Sequence, residues 1–420
     1  MREEEQKTFV TAVDFGSSAL RAAAATQNED GTLHILGVEE IAKKGYIKSG
    51  MITNSTDASM QLGRILLLLT NRVHTQREIQ ATFVSIGGRL LQVKTVPVKR
   101  NLLTKSYITK RLLEDMQKES IEKISESYPD MTGFNSEPIQ YILDDVAQSE
   151  VPSSTQKAQM LQTDYNVFFI KKETWDKLKG SFDRACKDIK YCWAKPIPQM
   201  TALLSETDSE EGCAIIDFGA QTTTLSIYGN NYCQFVKMVP FGGDHITKDL
   251  QSLKISFDTA EKLKRGFGYA SPRYIKNVQC LRMQSTDPDN PTITIDNTLI
   301  AHVIKARLDE IVQPILTEIE KSRDKIGHIY ITGGGTMLKG LIPYLKEKTG
   351  IATDFGSHAD WLDESTDKEY YKPKYATLIG TLALAIDYQK NHSESLTESP
   401  IGKKKLSEKL KDKILDIFTE

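Results

Sequence analysis

One phrase occurs twice in this chain, and it constrains the fold more than any other feature. Val10-Thr11-Ala12-Val13-Asp14-Phe15-Gly16-Ser17-Ser18 reads as an apolar strand that delivers an Asp and then a turn of small residues. About half-way along, Cys213-Ala214-Ile215-Ile216-Asp217-Phe218-Gly219-Ala220-Gln221-Thr222 reads the same way. Each phrase leads into a second strand, a polar turn (Asn28-Glu29-Asp30-Gly31 or Gly229-Asn230-Asn231) and a third strand (32–38 or 233–239). Apolar runs bounded by Gly, Asn and Asp mark strands and hairpins. Their recurrence at matching offsets predicts a structural duplication. Two related halves would each carry an Asp and a Gly turn to one place and grip one anionic ligand there.

A chain of 420 residues is too long for one compact core, which predicts two to four domains at ~100–200 residues each. A formal net charge of −2 with no basic stripe excludes bulk nucleic-acid binding. The five cysteines (Cys186, Cys192, Cys213, Cys233, Cys280) have no CxxC spacing and leave one over. Unpaired thiols in a reducing cytosol, acting as small buried hydrophobes, are the expectation. The acidic start Met1-Arg2-Glu3-Glu4-Glu5 is no signal peptide. The aliphatic run 65–69 is far too short to span a bilayer, and residues 375–388 read as a core helix.

Between the two phrases the pattern predicts a helix over 57–73 and a strand over 81–87. From about 92 to 164 the texture changes: a Lys/Glu-rich helix (108–126), a strand-like stretch (138–146) and a polar loop (148–162) suggest an inserted, surface-mounted domain. A core strand (165–170) and a helix (173–189) follow. After the second phrase come a helix start at 246–253, a helix at 259–265 capped by Asp258, and a β-rich stretch to about 299. A long helix over 300–323 has an apolar face at Val303, Ala306 or Arg307, Ile311 and Ile315. A strand at 328–332 then ends in Gly333-Gly334-Gly335, and the next helix begins at 337.

Three turns are aimed at phosphate chemistry. Phosphate oxygens need backbone N–H donors at close range, which Gly permits, and Ser or Thr hydroxyls add donors. Gly16-Ser17-Ser18 fits this need, and Asp14 could orient waters around a Mg²⁺, which commonly keeps several waters. Asp217 could do the same from the other half, and Gly333-Gly334-Gly335 offers a third close approach, for a purine or ribose. An Asp before a Gly is on its own most often a simple turn; the order and spacing of all three shift the odds. Asp-Phe-Gly also marks protein kinases, but their Gly-rich loop, strand Lys and His-Arg-Asp loop are absent.

The combination resembles the actin/Hsp70/sugar-kinase ATPase superfamily, with Asp14–Ser18 like its first phosphate motif, 217–222 like its second and 331–340 like its adenosine motif. Within it the chain resembles the bacterial FtsA cell-division family. The closer match rests on Gly45-Tyr46-Ile47-Lys48-Ser49-Gly50-Met51-Ile52, on Pro240-Phe241-Gly242-Gly243-Asp244-His245-Ile246, on Ala260-Glu261-Lys262-Leu263-Lys264 with Gly268, and on a terminal amphipathic helix. The resemblance implies an α/β, actin-like (RNase H-like, duplicated) two-lobed ATPase fold with an inserted α+β subdomain. Residues 8–84 and 165–205 with 359–390 would form subdomain 1A, 85–164 the insert 1C, and 206–358 subdomains 2A and 2B. A linker (391–402) and an amphipathic helix (403–420) would follow. The implied cofactors are ATP and Mg²⁺. The implied nucleotide contacts are Asp14, Gly16, Ser17, Ser18, Asp217, Gly219, Thr222, Gly242, Gly243, Glu261, Lys264, Gly333, Gly334, Gly335 and Met337, with Asp14 and Asp217 holding the metal through water.

The sequence also departs from the superfamily. Where its second loop reads Asp-x-Gly-Gly-Gly-Thr-Thr-Asp, this chain has Ala220, Gln221 and Thr224. Side chains at 220 and 221 restrict backbone approach to the phosphates, which weakens hydrolysis more than binding: at most a weak ATPase is expected. In the tail, Leu406, Leu410, Ile414, Ile417 and Phe418 fall on one arc of a helical wheel among six Lys and four acids. That is the pattern of a helix lying on anionic lipid. The family implies tethering of the tubulin-like protein FtsZ to the cytoplasmic face of the inner membrane at the division site, self-assembly into filaments and recruitment of later divisome proteins. A sugar or acid kinase of the same superfamily and an actin-like adaptor of pilus assembly are the alternatives.

Overall fold

The computed structural model describes residues 9–42, 45–74, 79–148, 151–356 and 361–393. Two five-stranded sheets carry the fold. In the first, Phe9–Phe15 lies between Ala19–Gln27 and Ala81–Ile86, and Leu33–Ala42 and Asp188–Ala194 form the edges. In the second, Cys213–Phe218 lies between Thr223–Gly229 and His328–Thr332, with Tyr232–Val239 and Ala352–Phe355 outside. The central strand pairs antiparallel on its hairpin side and parallel on the other in both sheets. The register repeats as well: Asp14 faces Arg21 as Asp217 faces Thr224. The duplication read from two short phrases therefore extends to whole-sheet topology.

The central strands are buried along nearly their whole length, as strands covered on both faces must be. Helix Ser55–Arg72 covers one face of the first sheet with Leu62, Ile65, Leu66 and Leu69. On the other face, helices Pro196–Leu203 and Ala376–Ser393 build a core that continues into the second half through Cys213, Ile215 and Tyr228. The halves thus share a hydrophobic hinge, and the Tyr228 hydroxyl donates to the Pro196 carbonyl 2.8 Å away within it. Helix Asn297–Lys321 covers the second sheet. Its buried face is Ile300, Ile304, Leu308, Ile311, Ile315 and Ile319, one helical stripe. Of the expected face, Ile311 and Ile315 are buried, whereas Val303 and Arg307 are half-buried and Ala306 is exposed.

The stretch beyond residue 91 forms its own antiparallel sheet of Gln92–Tyr107, Lys157–Lys171, Met131–Leu143 and Val146–Gln148, in that order. Helix Lys110–Ser127 packs Met116 and Ile124 against Val98, Leu161 and Val167. Lys157–Lys171 stays paired on both sides up to Phe169 and Lys171. Residues 165–171 therefore lie in this sheet and do not rejoin the first, and the polar loop expected up to 162 becomes strand from Lys157. A bulge between Ala158 and Met160 breaks the alternation that would have signalled it.

Other differences are local. The helix expected to reach 189 ends at Arg184, where Cys186 turns through a φ of +53° before the edge strand. Ser256, not Asp258, caps helix Phe257–Phe267 by accepting from the Thr259 N–H. Met337 closes a 3-10 turn, and the following helix starts at Leu341. No helix among the described residues is long and apolar enough to cross a membrane. The linker 391–402, apart from its first three residues, and the amphipathic segment with Leu406, Leu410, Ile414, Ile417 and Phe418 lie outside the described residues.

Candidate functional site

The ends of five strands converge on one cleft between the halves. Phe9–Phe15 ends in Gly16-Ser17-Ser18, Ala81–Ile86 in Gly87-Gly88, Asp188–Ala194 in Lys195, Cys213–Phe218 in Gly219-Ala220, and His328–Thr332 in Gly333-Gly334. All of these residues line the cavity, together with Asp14, Asp217 and Thr222. Ligands in open α/β sheets bind outside the carboxyl ends of strands, and here two such sheets face each other.

The two Asp corners have the same build. The Gly16 N–H donates to the Ala19 carbonyl at 3.1 Å, and the Gly219 N–H to the Thr222 carbonyl at 2.9 Å. Each bond closes a tight turn immediately after its Asp. A Cβ on Gly16 or Gly219 would sit 2.8 or 2.9 Å from that carbonyl oxygen, so the turn excludes side chains. Gly333 is constrained from the other side. It has a φ of +89°, and a Cβ there would overlap Asp217 Oδ1 and lie 2.7 Å from the Phe218 oxygen. Gly335 packs against the Phe218 ring in the same way. The Gly triplet is thus a place where one strand end leans on the neighbouring Asp.

Cations line the cleft beside the acids. Asp14 is only 4% exposed, and its Oδ1 pairs with Lys195 Nζ at 2.7 Å while Arg21 stands 3.9 Å from Oδ2. Arg21 also bonds Glu40 at 3.1 Å, and Lys374 reaches the same carboxylate at 3.4 Å. Asp217 accepts from Gln199 Nε2 at 2.8 Å, and Gln199, 1% exposed, donates as well to the Thr377 hydroxyl. Burial pushes the Asp217 carboxyl above the ordinary range, opposed by Lys195 and the Gln199 bond and reinforced by the Asp14 charge.

Arg21, Lys195 and Lys374 against Asp14 and Asp217 leave the wall with one excess positive charge, partly met by Glu40. The N–H groups of Ser17, Ser18 and Ala220 carry no internal hydrogen bond among the described residues. That donor set suits a polyphosphate. Two carboxylates on one wall, Asp14 and Asp217, are the residues that would hold a hydrated divalent cation. No cluster of three or more His, Cys, Asp or Glu able to hold a metal directly exists among the described residues.

Other residues expected to touch the nucleotide are not on this wall. Gly242 and Gly243 lie beneath the second turn: the Gly243 and Asp244 N–H groups donate to the carbonyls of Gly219 (3.0 Å) and Ala220 (2.7 Å). These helix-start donors hold the loop's shape and are not free for phosphate. The Gly242 N–H is capped by His245 Nδ1 at 3.2 Å. Lys264 Nζ bonds the Gly243 carbonyl, the Thr247 hydroxyl and Glu261 at 2.9, 2.8 and 2.6 Å. Glu261 and Lys264 thus brace the helix Gly243–Leu250 and do not line the cavity. Met337 is 58% exposed outside it. Sequence reasoning missed Arg21, Lys195, Gln199, Lys374 and Gly87-Gly88. Only the last had a local signal, a Gly pair directly after a strand; the others come from elements placed by tertiary packing.

Two five-stranded sheets of one topology, hinged through a shared core and closing an Asp-bearing turn from each half onto one cleft, define the actin-like ATPase fold. Solved structures of that shape agree. The chain matches one in a PilM–PilN type IV pilus biogenesis complex with a TM-score of 0.63 at 15% identity, covering 90% of this chain and 98% of that one. It matches MreB5 of Spiroplasma citri bound to ADP with a TM-score of 0.54 at 12% identity, covering 92% and 98%. More narrowly, the chain is similar to FtsA proteins: the family model described as cell division protein FtsA matches residues 214–380. It is 25% identical over 350 residues to the cell division protein FtsA of Streptococcus pneumoniae, covering 82% of this chain and 74% of that protein. Identity to the FtsA of Neisseria meningitidis is 23% over 407 residues, 92% of each.

Proposed function

We propose that the cleft binds ATP with Mg²⁺ and that the protein is an actin-like cell-division adaptor. In this reading it joins the tubulin-like FtsZ ring to the cytoplasmic face of the inner membrane and helps to recruit later septum proteins. The observation that carries the nucleotide part is the pair of equivalent corners, Asp14-Phe15-Gly16 and Asp217-Phe218-Gly219, facing one cavity together with Gly333-Gly334. Ser17, Ser18 and Ala220 would offer N–H groups to phosphate, Lys195 and Arg21 would supply charge, and Asp14 and Asp217 would orient the waters of the metal. When bound, the metal screens the phosphate charge. The residues around the second turn fit binding better than fast turnover. Gln199 is an amide and accepts no proton at neutral pH, and Thr224 stands where the superfamily has an Asp.

The cell-division part draws on the FtsA-like relatives and on the amphipathic pattern of residues 403–420. Five apolar side chains, each contributing at most ~1.5–3 kcal/mol when fully buried, are only partly buried at an interface. One tail therefore binds reversibly. Several tails on one filament bind far more tightly through effective concentration, so nucleotide-controlled assembly would control attachment. The test is co-sedimentation of the full chain and of a chain ending at Pro400 with anionic liposomes, with and without ATP·Mg²⁺ and FtsZ. ATP-stimulated co-sedimentation that is lost on truncation, with FtsZ carried down only by the full chain, is the expected result. Equal binding by both proteins removes the membrane role.

A further inference from the structure

The second phosphate-type turn is tied to the opposite half by a residue that the superfamily pattern lacks. Gln221 follows Ala220 in the second turn, and its side chain crosses to the other half of the molecule. Its Oε1 accepts from the Ser49 backbone N–H at 2.9 Å, while its Nε2 donates to Asp244 Oδ2 at 3.0 Å. Asp244 is in turn fixed to the same loop, its N–H donating to the Ala220 carbonyl. The amide is thus anchored at both ends, once in each half.

The receiving turn is built to present donors. Ser49 and Gly50 both adopt left-handed backbone, with φ of +50° and +73°. For Ser this conformation is costly unless surrounding contacts fix it. Here the contacts are plain: the Ser49 N–H goes to Gln221, the Gly50 N–H to Ser17 Oγ at 2.8 Å, and the Ser49 carbonyl accepts from the Arg89 N–H at 3.2 Å. Gly50 also packs directly on Gly88, a cavity-lining residue; a Cβ on Gly50 would lie 2.8 Å from the Gly88 Cα. Two successive N–H groups of one rigid turn are therefore taken by side chains from the two opposed Asp corners.

We propose that Gln221 is a latch across the cleft, a positioning residue that ties the second phosphate turn to the Ser49-Gly50 turn and slows the exchange of a bound nucleoside diphosphate. The inference rests on the nucleotide reading of the cleft. The shared core at the hinge holds the halves from one side, and the Gln221 amide holds them beside the cavity. Opening the cleft enough to release a ligand must break the Ser49 bond, whereas the ligand's own contacts do not require it.

The test uses the full chain with Gln221→Ala and Gln221→Asn. Asn keeps the amide but is one methylene too short to reach both anchors. Two readouts are needed: release of a fluorescent ADP analogue chased with excess ADP, and hydrogen exchange of the Ser49 amide without nucleotide. A hydrogen bond of this kind is worth about 0.5–1.5 kcal/mol net, so release is expected to accelerate by about 2–10-fold in both variants. Ser49 protection should fall while that of Gly50, held by Ser17, is kept. Release within the error of the parent in both variants, or wild-type-like release in Asn, overturns the latch. If the parent protein takes up no analogue, it is the nucleotide reading that fails. The exchange readout then decides the tie itself, and equal Ser49 protection in parent and variants overturns it.

Discussion

The glycine triplet at 333–335 allows a sharp experiment because its neighbouring members have opposite surroundings. Gly333 has φ +89° and ψ 162°, a region open essentially to Gly alone, where another residue costs about 1–3 kcal/mol. A Cβ there also overlaps Asp217 Oδ1 and approaches the Phe218 oxygen to 2.7 Å, where 3.4 Å is an ordinary contact. Relief requires Asp217 to move, which breaks its 2.8 Å bond from Gln199. A hydrogen bond to a charged group is worth about 1.5–3 kcal/mol. Gly333→Ala should therefore cost about 3 kcal/mol or more. A methyl group on Gly334, by contrast, meets nothing within 4 Å, and Gly334→Ala should stay within about 0.5 kcal/mol. At roughly 2–4 °C per kcal/mol for a unit of 150–250 residues, thermal melting should fall by about 6–12 °C in the first variant and by almost nothing in the second. Because Gly334 lines the cavity, its Ala variant should still lose affinity for ATP measured by calorimetry. Equal melting of the two variants would refute the claim that the Asp217 corner leans on Gly333.

Further outcomes follow from the same geometry. Lys195→Ala removes the 2.7 Å partner of a nearly buried Asp14 and leaves only Arg21 at 3.9 Å; melting should drop, and Asp14→Asn added to it should cost less than it does alone, which a double-mutant cycle measures. Burial raises the Asp217 carboxyl, so its favourable contribution is complete below the unfolded value near 3.8 and is lost as pH rises through the higher folded value. The melting difference between Asp217→Asn and the parent, without nucleotide, should accordingly grow in favour of the variant from pH 4 upward; a flat difference across pH 4–8 contradicts it. Burial pushes Glu137, in the insert sheet, from 4.5 up to about 7. Glu137→Gln should therefore gain on the parent between about pH 4.5 and 7 and hold a constant lead above pH 8, read by the same melts.

The division between what residues 9–393 disclosed in sequence and what they withheld has a physical basis. Strand-turn signals are local: Asp14-Phe15-Gly16 and Asp217-Phe218-Gly219 lie on central strands whose apolar runs need no tertiary context to be read, and the hairpins after them have their own turn residues. Asn230 and Asn231 take φ of +53° and +66°, the conformation a two-residue hairpin demands. The cations of the cleft are different. Lys195 precedes a short helix and Lys374 sits within the 3-10 turn Pro373–Tyr375, and neither position is marked in sequence as facing Asp14 or Glu40. Glu261 and Lys264, expected from the family resemblance, are an i,i+3 pair that the helix turns toward Thr247 and the Gly243 carbonyl, an environment set by tertiary packing and not by the local pattern.

The loss of two glycines from the second turn reads differently once its neighbours are known. A Gly-rich loop gives phosphate the closest approach but leaves the backbone free to move. Here the carbonyls of Gly219 and Ala220 are both held by the start of helix Gly243–Leu250, and Gln221 ties the loop to the opposite half. The turn has exchanged open donors for rigidity and an inter-lobe contact. In the nucleotide reading proposed above, such a turn would hold a ligand while keeping the two halves tied beside it, as a conformational switch for assembly requires. A free proton acceptor between the lobes would favour a phosphotransferase instead; of the two carboxylates on the wall, Asp14 is paired with Lys195 and Arg21 and Asp217 accepts from Gln199, and the other polar side chains beside them are the hydroxyls of Thr222, Thr224 and Thr377.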